Sequence, residues 1–364
     1  MNESLQLHYK PRLPRNKKRG IGIIGAGEIV QEAHLPAYRM AGFNIVGITN
    51  RSLQRAEAAA STFHIPHVYA SIEELLANPD IEIVDIALPA ELQPEAVRLA
   101  TLAGKHVLCQ KPLGTTFEAA KRIVEMCASA NVIGAINQQM RWAPGIRASH
   151  DIISRGWLGE LTQASIQVNI ETKFEQWPFL RTIDTLEVMY HSIHYLDSIR
   201  FLFGDPLMVY ADGARFPGQV CEGETRTLIH LIFPGEARGL VHDNHNSVST
   251  TDDWYATFRF EGTRGVIKGT NGALYNYPQG REDTLSFSSK ELAPEYWITP
   301  KLEGKWFPHA FMGTMGELMC AIEEGRHPEN SVADNLQTMR LVFAAYRSMR
   351  ERRAVSLTEI NGEG

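Results

Sequence analysis

The chain has 364 residues, 44% of them hydrophobic, with 36 Lys and Arg against 42 Asp and Glu, for a formal net charge of -6. That length exceeds one ordinary domain, that composition excludes wholesale disorder, and that charge argues against nucleic-acid binding. No apolar run reaches membrane-span length, and residues 1–19 lack the apolar core of a secretory signal.

Residues 1–19 read as a flexible extension, with Lys17, Lys18 and Arg19 solvated. Ile21 to Ile24 is a short β-branched run without charge, suited to a central parallel strand. Gly25-Ala26-Gly27 follows at once, then a helical stretch to about Met40. A second strand covers Phe43 to Ile48, and LQRAEAAASTF reads as a helix. Val68-Tyr69, a helix capped by Ser71, the strand IEIVDIAL, a helix around PEAVRLATLAG, the strand HVLCQ, the helix TFEAAKRIVEMCASA and the strand VIGAIN complete the first part. Such alternation predicts a parallel sheet with helices on both faces.

The alternation stops near Arg141. The helix GIRASHDIISRG, the strand LTQASIQVNI and the helix EVMYHSIHYLDSIRFLFG come next. TRTLIHLIF, RGLVHDNH, YATFRFEG and GVIKGT alternate as in a mainly antiparallel sheet, and MGELMCAIEEG and ADNLQTMRLVFAAYRSMRE close the chain as helices. The expected architecture is α/β. A Rossmann dinucleotide-binding domain over 20–140 precedes an α/β domain over 141–364, built on a mainly antiparallel sheet.

A G-x-G turn between a strand and a helix is the context a dinucleotide fingerprint needs. Gly25 permits the tight turn, Gly27 lets the backbone approach a pyrophosphate, and the helix N-terminus beyond favours its charge. The third glycine position is Val30. The second strand ends in Thr49-Asn50-Arg51, with no carboxylate for the ribose hydroxyls. Of NAD and NADP this favours NADP, with Arg51 on the 2′-phosphate or stacked on adenine. Cys109, Cys127, Cys221 and Cys320 include no C-x-x-C pair, so reduced buried thiols in a cytoplasmic protein are expected.

GIIGAGEIVQEAHLPAY, ALPAELQPEAV, HVLCQKPLGTT, QQMRWAPGIR, GWLGEL, HSIHYLDSIRFLFGDP, FEGTRGVIKG and AYRSMRE follow one another in an order that resembles the Gfo/Idh/MocA family. That family includes glucose–fructose oxidoreductase and inositol dehydrogenase. The resemblance implies a nicotinamide-dependent oxidoreductase acting on a sugar, polyol, inositol or glycoside, a substrate-binding and oligomerisation domain over 141–364 with a large open sheet, and a homo-oligomer (dimer or tetramer) in which sheet faces pair. It implies cofactor contacts at Gly25, Ala26, Gly27, Glu28, Ile29, Asn50, Arg51, Leu88, Pro89, Gln93, Gln110, Lys111 and Gln139. It assigns catalysis to Lys111, in the position of the E-K-P lysine, and to His194.

The chemistry suits those two residues. Oxidising an alcohol removes a hydride and a proton, histidine titrates near neutrality, and an ammonium group holds a hydroxyl and lowers its pKa. Tyr190, His194 and Asp197 fall on one helical face, while Met189, Ile193, Leu196 and Phe203 form an apolar stripe. Asp197 either orients His194 or pairs with Arg200. Substrate contacts are expected from Tyr190, His191, Arg141, Trp142, Trp177 and Arg181, with Lys173, Asp184, Asn244 and His245 ranked behind. His191 and His194 are three apart, yet no motif supplies a third ligand, so no metal is expected. The sequence departs from the family pattern where Gln110 replaces the Glu of E-K-P and where Tyr190 replaces an Asp before the histidine. Those losses leave a competing reading, a non-catalytic dinucleotide and sugar sensor on the same fold.

Overall fold

The computed structural model describes residues 6–176, 178–275, 277 and 280–362. They form two compact units, one of residues 11–139 with 307–339 and one of residues 6–10, 140–306 and 340–361.

The first unit is built on six parallel strands: β1 (Gly20–Ile24), β2 (Asn44–Thr49), β3 (His67–Tyr69), β4 (Ile81–Ile86), β5 (His106–Cys109) and β6 (Gly134–Ile136). Their order is β3-β2-β1-β4-β5-β6, the doubly wound arrangement in which the strand order reverses beside β1. Every residue of β1 is buried, as its uncharged run requires. The covering helices are α1 (Leu35–Ala41), α2 (Leu53–Phe63), α3 (Ile72–Ala77), α4 (Gln93–Leu102) and α5 (Phe117–Ser129). Ser71 caps α3 by accepting from Glu74 N at 3.1 Å. The turn before α1, Val30–His34, is π-wound, with Leu35 N donating to Val30 O. Pro36 follows without an N–H to continue the ordinary ladder, which gives the wider turn a local cause.

In the second unit α6 (Pro144–Ser154), β7 (Leu161–Asn169) and α7 (Ile193–Phe203) precede a run of strands, β8 (Met208–Ala214), β9 (Arg226–Ile232), β10 (Arg238–Asn244), β11 (Tyr255–Gly262), β12 (Gly265–Thr270), β13 (Thr284–Ser289) and β14 (Ala293–Ile298). The chain then forms α8 (His309–Glu324), α9 (Val332–Glu351) and the short β15 (Val355–Ser356). Nine strands make one sheet in the order β14-β13-β12-β11-β7-β10-β9-β8-β15, antiparallel except where β10 runs parallel to β7. One face carries Val209, Ile229, Leu231, Val241, Ile166 and Phe258, all buried. The other exposes Tyr210, Leu228 and Leu240.

Two features differ from the expected division. The second stretch is not continuous, because α8 and the start of α9 belong to the first unit. Their amphipathic pattern names no partner, and Met315, Leu318 and Met319 of α8 join the core that contains Tyr38 and Leu35. The extension before β1 is also tied down where described. Arg15 N and Asn16 N donate to the Glu323 carboxylate at 3.2 and 2.7 Å, and Arg12 pairs with Glu324. In the second unit His8 N donates to Asp151 at 3.0 Å.

Candidate active site

In the first unit the turn after β1 is shaped by two different glycines. Gly25 has φ +113°, and a Cβ there would lie 2.4 Å from the Ala87 carbonyl oxygen, so backbone geometry requires glycine. Gly27 lies outside that left-handed region, and a Cβ there would meet nothing within 4 Å. The space over Gly27 is open, as a cradle for a pyrophosphate must be. Asn50 Oδ1 accepts from Ala26 N at 3.1 Å, and its amide nitrogen donates to Ser52 O at 3.0 Å. Asn50 thereby fixes the turn to the end of β2. Arg51 next to it is exposed. Glu28, exposed, and Ile29, partly buried, open the helix, while Leu88 and Pro89 follow β4.

Lys111 follows β5, and burial lowers its ammonium to about 8. Its backbone N–H donates to Gln110 Oε1 at 2.8 Å, and its peptide bond to Pro112 is cis. Two residues expected at the cofactor also brace this segment. Gln93 is fully buried and its amide nitrogen donates to Leu88 O and Pro112 O at 3.3 and 3.2 Å. Gln110 is buried with Nε2 set 3.1 Å from His34 Nε2. The Gln93 Nε2 and both ends of the Gln110 amide are thus engaged within the unit. Gln139, also buried, ends the unit.

His34 lies at the centre of a buried network whose donors are all met. Its Nδ1 is 2.7 Å from Asp85 Oδ2, which also accepts from Tyr38 OH at 2.8 Å. Asn137 Nδ2 lies 3.1 Å from His34 Nε2, and Asn137 Oδ1 accepts from Thr314 at 2.9 Å. The amide donors on Nε2 call for the tautomer with its hydrogen on Nδ1. Gln110 fits this pattern where the family's Glu, ionised, has no proton to donate.

In the second unit a π-turn, Val188–Ser192, leads into α7 and carries Tyr190 and His191. His194 is 5% exposed, and the edge of Trp306 approaches its ring at 5.0 Å between centroids. Trp306 had no periodic or motif signal in the sequence. Tyr190 packs against Leu180, Leu186 and Cys221, with Phe179 edge-on at 6.4 Å. Arg141, expected at the substrate, is instead a buried partner of Asp197. Its Nε and a terminal nitrogen each donate to one carboxylate oxygen at 2.7 Å. A planar guanidinium on a carboxylate in this fork geometry satisfies both groups. Asp197 lies 4.0 Å from Arg200, a weaker second pairing. Trp142, also expected at the substrate, is buried beneath the Arg147 guanidinium at 5.6 Å. Arg181, Lys173 and Asp184 are exposed on the segment before α7, and Trp177 lies outside the described residues.

A polar cluster underlies the π-turn. On β10 the inward row Gly239, Val241, Asp243 runs from apolar core to charge, and His245 extends it. Asp243 and Glu187 are both fully buried. Burial pushes Asp243 up to about 6, and burial together with Asp243 holds Glu187 well above the usual carboxylate range. Thr227 Oγ1 and Ser192 Oγ donate to Glu187 at 2.7 and 2.8 Å. His245 Nε2 is 3.1 Å from Asp243, and its Nδ1 is 2.6 Å from Thr172 Oγ1. The His191 and His245 rings stack at 3.9 Å. Glu187 escaped the sequence reading, although Glu187 and His191 are four apart on a helical stretch, a spacing that signals shared facing.

Residues 19–138 match the oxidoreductase family, NAD-binding Rossmann fold, and residues 151–357 match the oxidoreductase family, C-terminal alpha/beta domain. D-apiose dehydrogenase from Paraburkholderia graminis is 27% identical, over 94% of this chain and 90% of that protein. 1,5-Anhydro-D-fructose reductase from Ensifer adhaerens is 30% identical, over 69% of this chain and 75% of that protein. A crystal structure of an oxidoreductase from Agrobacterium radiobacter with NAD+, L-tartaric acid and magnesium superposes with a TM-score of 0.83 at 22% identity, covering 94% of this chain and all of that one.

Proposed function

Since this chain belongs to the Gfo/Idh/MocA oxidoreductase family, with its NAD-binding Rossmann fold and C-terminal alpha/beta domain, we propose that it oxidises or reduces a hydroxyl or carbonyl carbon of a sugar or polyol. The observation that carries the reading is the turn of Gly25 and Gly27, held by Asn50, with open space above Gly27 at the carboxyl end of β1. Related proteins named as sugar dehydrogenases and reductases support an enzyme over a sensor. When bound, the nicotinamide dinucleotide supplies the hydride donor or acceptor. The turn, Glu28, Ile29, Leu88 and Pro89 hold it. The exposed Arg51 and the absence of a carboxylate at the end of β2 support NADP.

Lys111 holds the reacting oxygen, and its depressed pKa keeps a proton exchangeable near neutrality. His194 exchanges the proton of the hydroxyl. Arg141 and Asp197 brace α7 beneath it. The exposed Tyr210, Leu228 and Leu240 on the outer sheet face support a homo-oligomer, and four buried free cysteines support a reducing, cytoplasmic setting.

The test is a panel of aldoses, polyols, inositols and glycosides followed at the nicotinamide absorbance with NAD and NADP. Arg51→Ala is expected to weaken NADP, and not NAD, by about 10- to 100-fold, the value of a charge-assisted contact. His194→Ala is expected to lower turnover by about 10²–10⁴ with cofactor affinity retained. A Cβ at Gly27 meets nothing within 4 Å, so a folded Gly27→Leu protein with unchanged cofactor affinity would overturn the reading.

A further inference from the structure

We propose that Glu187, His191 and His245, with Asp243 beside them, bind a divalent first-row transition-metal ion of the zinc type. The three side chains each offer a ligand atom, and these atoms lie within 4.8 Å of one another. Two imidazoles and one carboxylate make the donor set of catalytic zinc centres, which keep a further position open. The sequence reading paired His191 with His194 and found no third ligand. The fold draws the set from Glu187 on one side and from the end of β10 on the other.

The surroundings are those of a built site. Ligating imidazoles are normally held through their second nitrogen, and His245 Nδ1 meets Thr172 Oγ1 at 2.6 Å, leaving Nε2 for the cluster. Glu187 is held by Ser192 Oγ at 2.8 Å, Ser192 N at 3.1 Å and Thr227 Oγ1 at 2.7 Å. Ser192 Oγ also lies 3.4 Å from Asp243. The backbone between Glu187 and His191 is π-wound, a geometry that recurs at functional sites. Charge gives an independent argument. Glu187 and Asp243 are fully buried together, and among the described residues neither has a Lys or Arg ion partner. Buried carboxylates are normally paired or coordinate metals. The imidazoles disfavour magnesium and calcium, which take oxygen ligands. His191 is only partly buried, so the open position has a route to solvent. A substrate oxygen as the added ligand follows only if the oxidoreductase reading holds.

The experiment uses the full chain, stripped with chelator, dialysed against zinc and analysed for metal, with no dinucleotide or sugar present. A single zinc per chain is expected, with a rise in Tm that magnesium does not reproduce. Cobalt should give the visible bands of a tetrahedral centre. His191→Ala and His245→Asn should abolish stoichiometric uptake. Thr172→Val, which removes only the brace, should weaken zinc by about 10- to 100-fold. His191 is partly exposed, so its variant carries the test even if Glu187→Gln fails to fold. Zinc at background in the folded wild type, or uptake unchanged in His191→Ala and His245→Asn, overturns the site. Zinc binding without sugar turnover retains the metal assignment and removes the catalytic one; turnover by a protein that takes no zinc does the reverse.

Discussion

The two units each bury a histidine beside a carboxylate, yet the two arrangements differ in balance. Around His34 one carboxylate, two amides, a phenol and a hydroxyl meet so that each donor faces an acceptor, with only Asp85 Oδ1 left over. Around His245 two carboxylates face each other with imidazoles and hydroxyls, and positive charge is short. A closed network rigidifies what is attached to it, here the Gln110–Lys111 segment. The second cluster holds two buried carboxyl groups and, among the described residues, no Lys or Arg partner for them, the shortage that the proposed metal ion would meet. Burial alone therefore does not separate brace from site; the count of donors, acceptors and charge does.

The strongest way to break this contrast is to open the closed network. Asp85→Ala leaves His34 and Tyr38 buried without their acceptor and is expected to cost about 3–5 kcal/mol, read from urea unfolding. A loss under about 1 kcal/mol would mean that the network is not the brace described.

A middle-sized effect separates the units by pH. Folded Lys111 releases its proton near about 8, whereas the unfolded chain keeps it to about 10.5, so the unfolded state binds the extra proton between those values and stability rises with pH across that window. In the second unit burial raises Asp283, which accepts from Gly145 N and Gly272 N at 3.0 and 2.9 Å, to about 6 from 3.8. There the folded state binds the extra proton, so stability falls as pH rises from about 4 to about 6. Each contribution is on the order of 3 kcal/mol. Lys111→Met should flatten the alkaline window, and Asp283→Asn should reduce the acidic slope by about half in pH-dependent urea unfolding, because Asp243, also raised to about 6, titrates in the same window. An alkaline slope unchanged in Lys111→Met, or an acidic slope unchanged in Asp283→Asn, would move its origin to another group.

The smallest expected effect sharpens the contrast most. Asp243→Asn removes one of two facing carboxylates and is expected to leave metal-free stability unchanged or raise it by about 1 kcal/mol, in calorimetry after chelation. A loss as large as that of Asp85→Ala would show the second cluster to be as closed as the first.

Much of the architecture was legible in the amino-acid order. The six strands of the first sheet, the Ser71 cap and the glycine turn rest on neighbours a few residues away, where period and backbone geometry act directly. The long helix bearing His194 was legible for the same reason, although its π-wound start was not, since one wide turn leaves the apolar stripe nearly intact. β8, β13 and β14 escaped notice because short strands with mixed faces acquire their identity from the partners beside them.

What only the tertiary structure decided involves long separations along the chain. Arg141 and Asp197 are 56 residues apart, and neither sequence neighbourhood shows that one will neutralise the other. Gln110 reads as a lost acid until His34, 76 residues away, is found facing its amide. The return of α8 to the first unit and the meeting of Glu187 with His245 are of the same kind. Local order determines which residues share a helix face or a strand face, because backbone geometry repeats over a few residues. Which faces then meet depends on packing of the whole chain, and the charge balance of a buried site exists only after they have met.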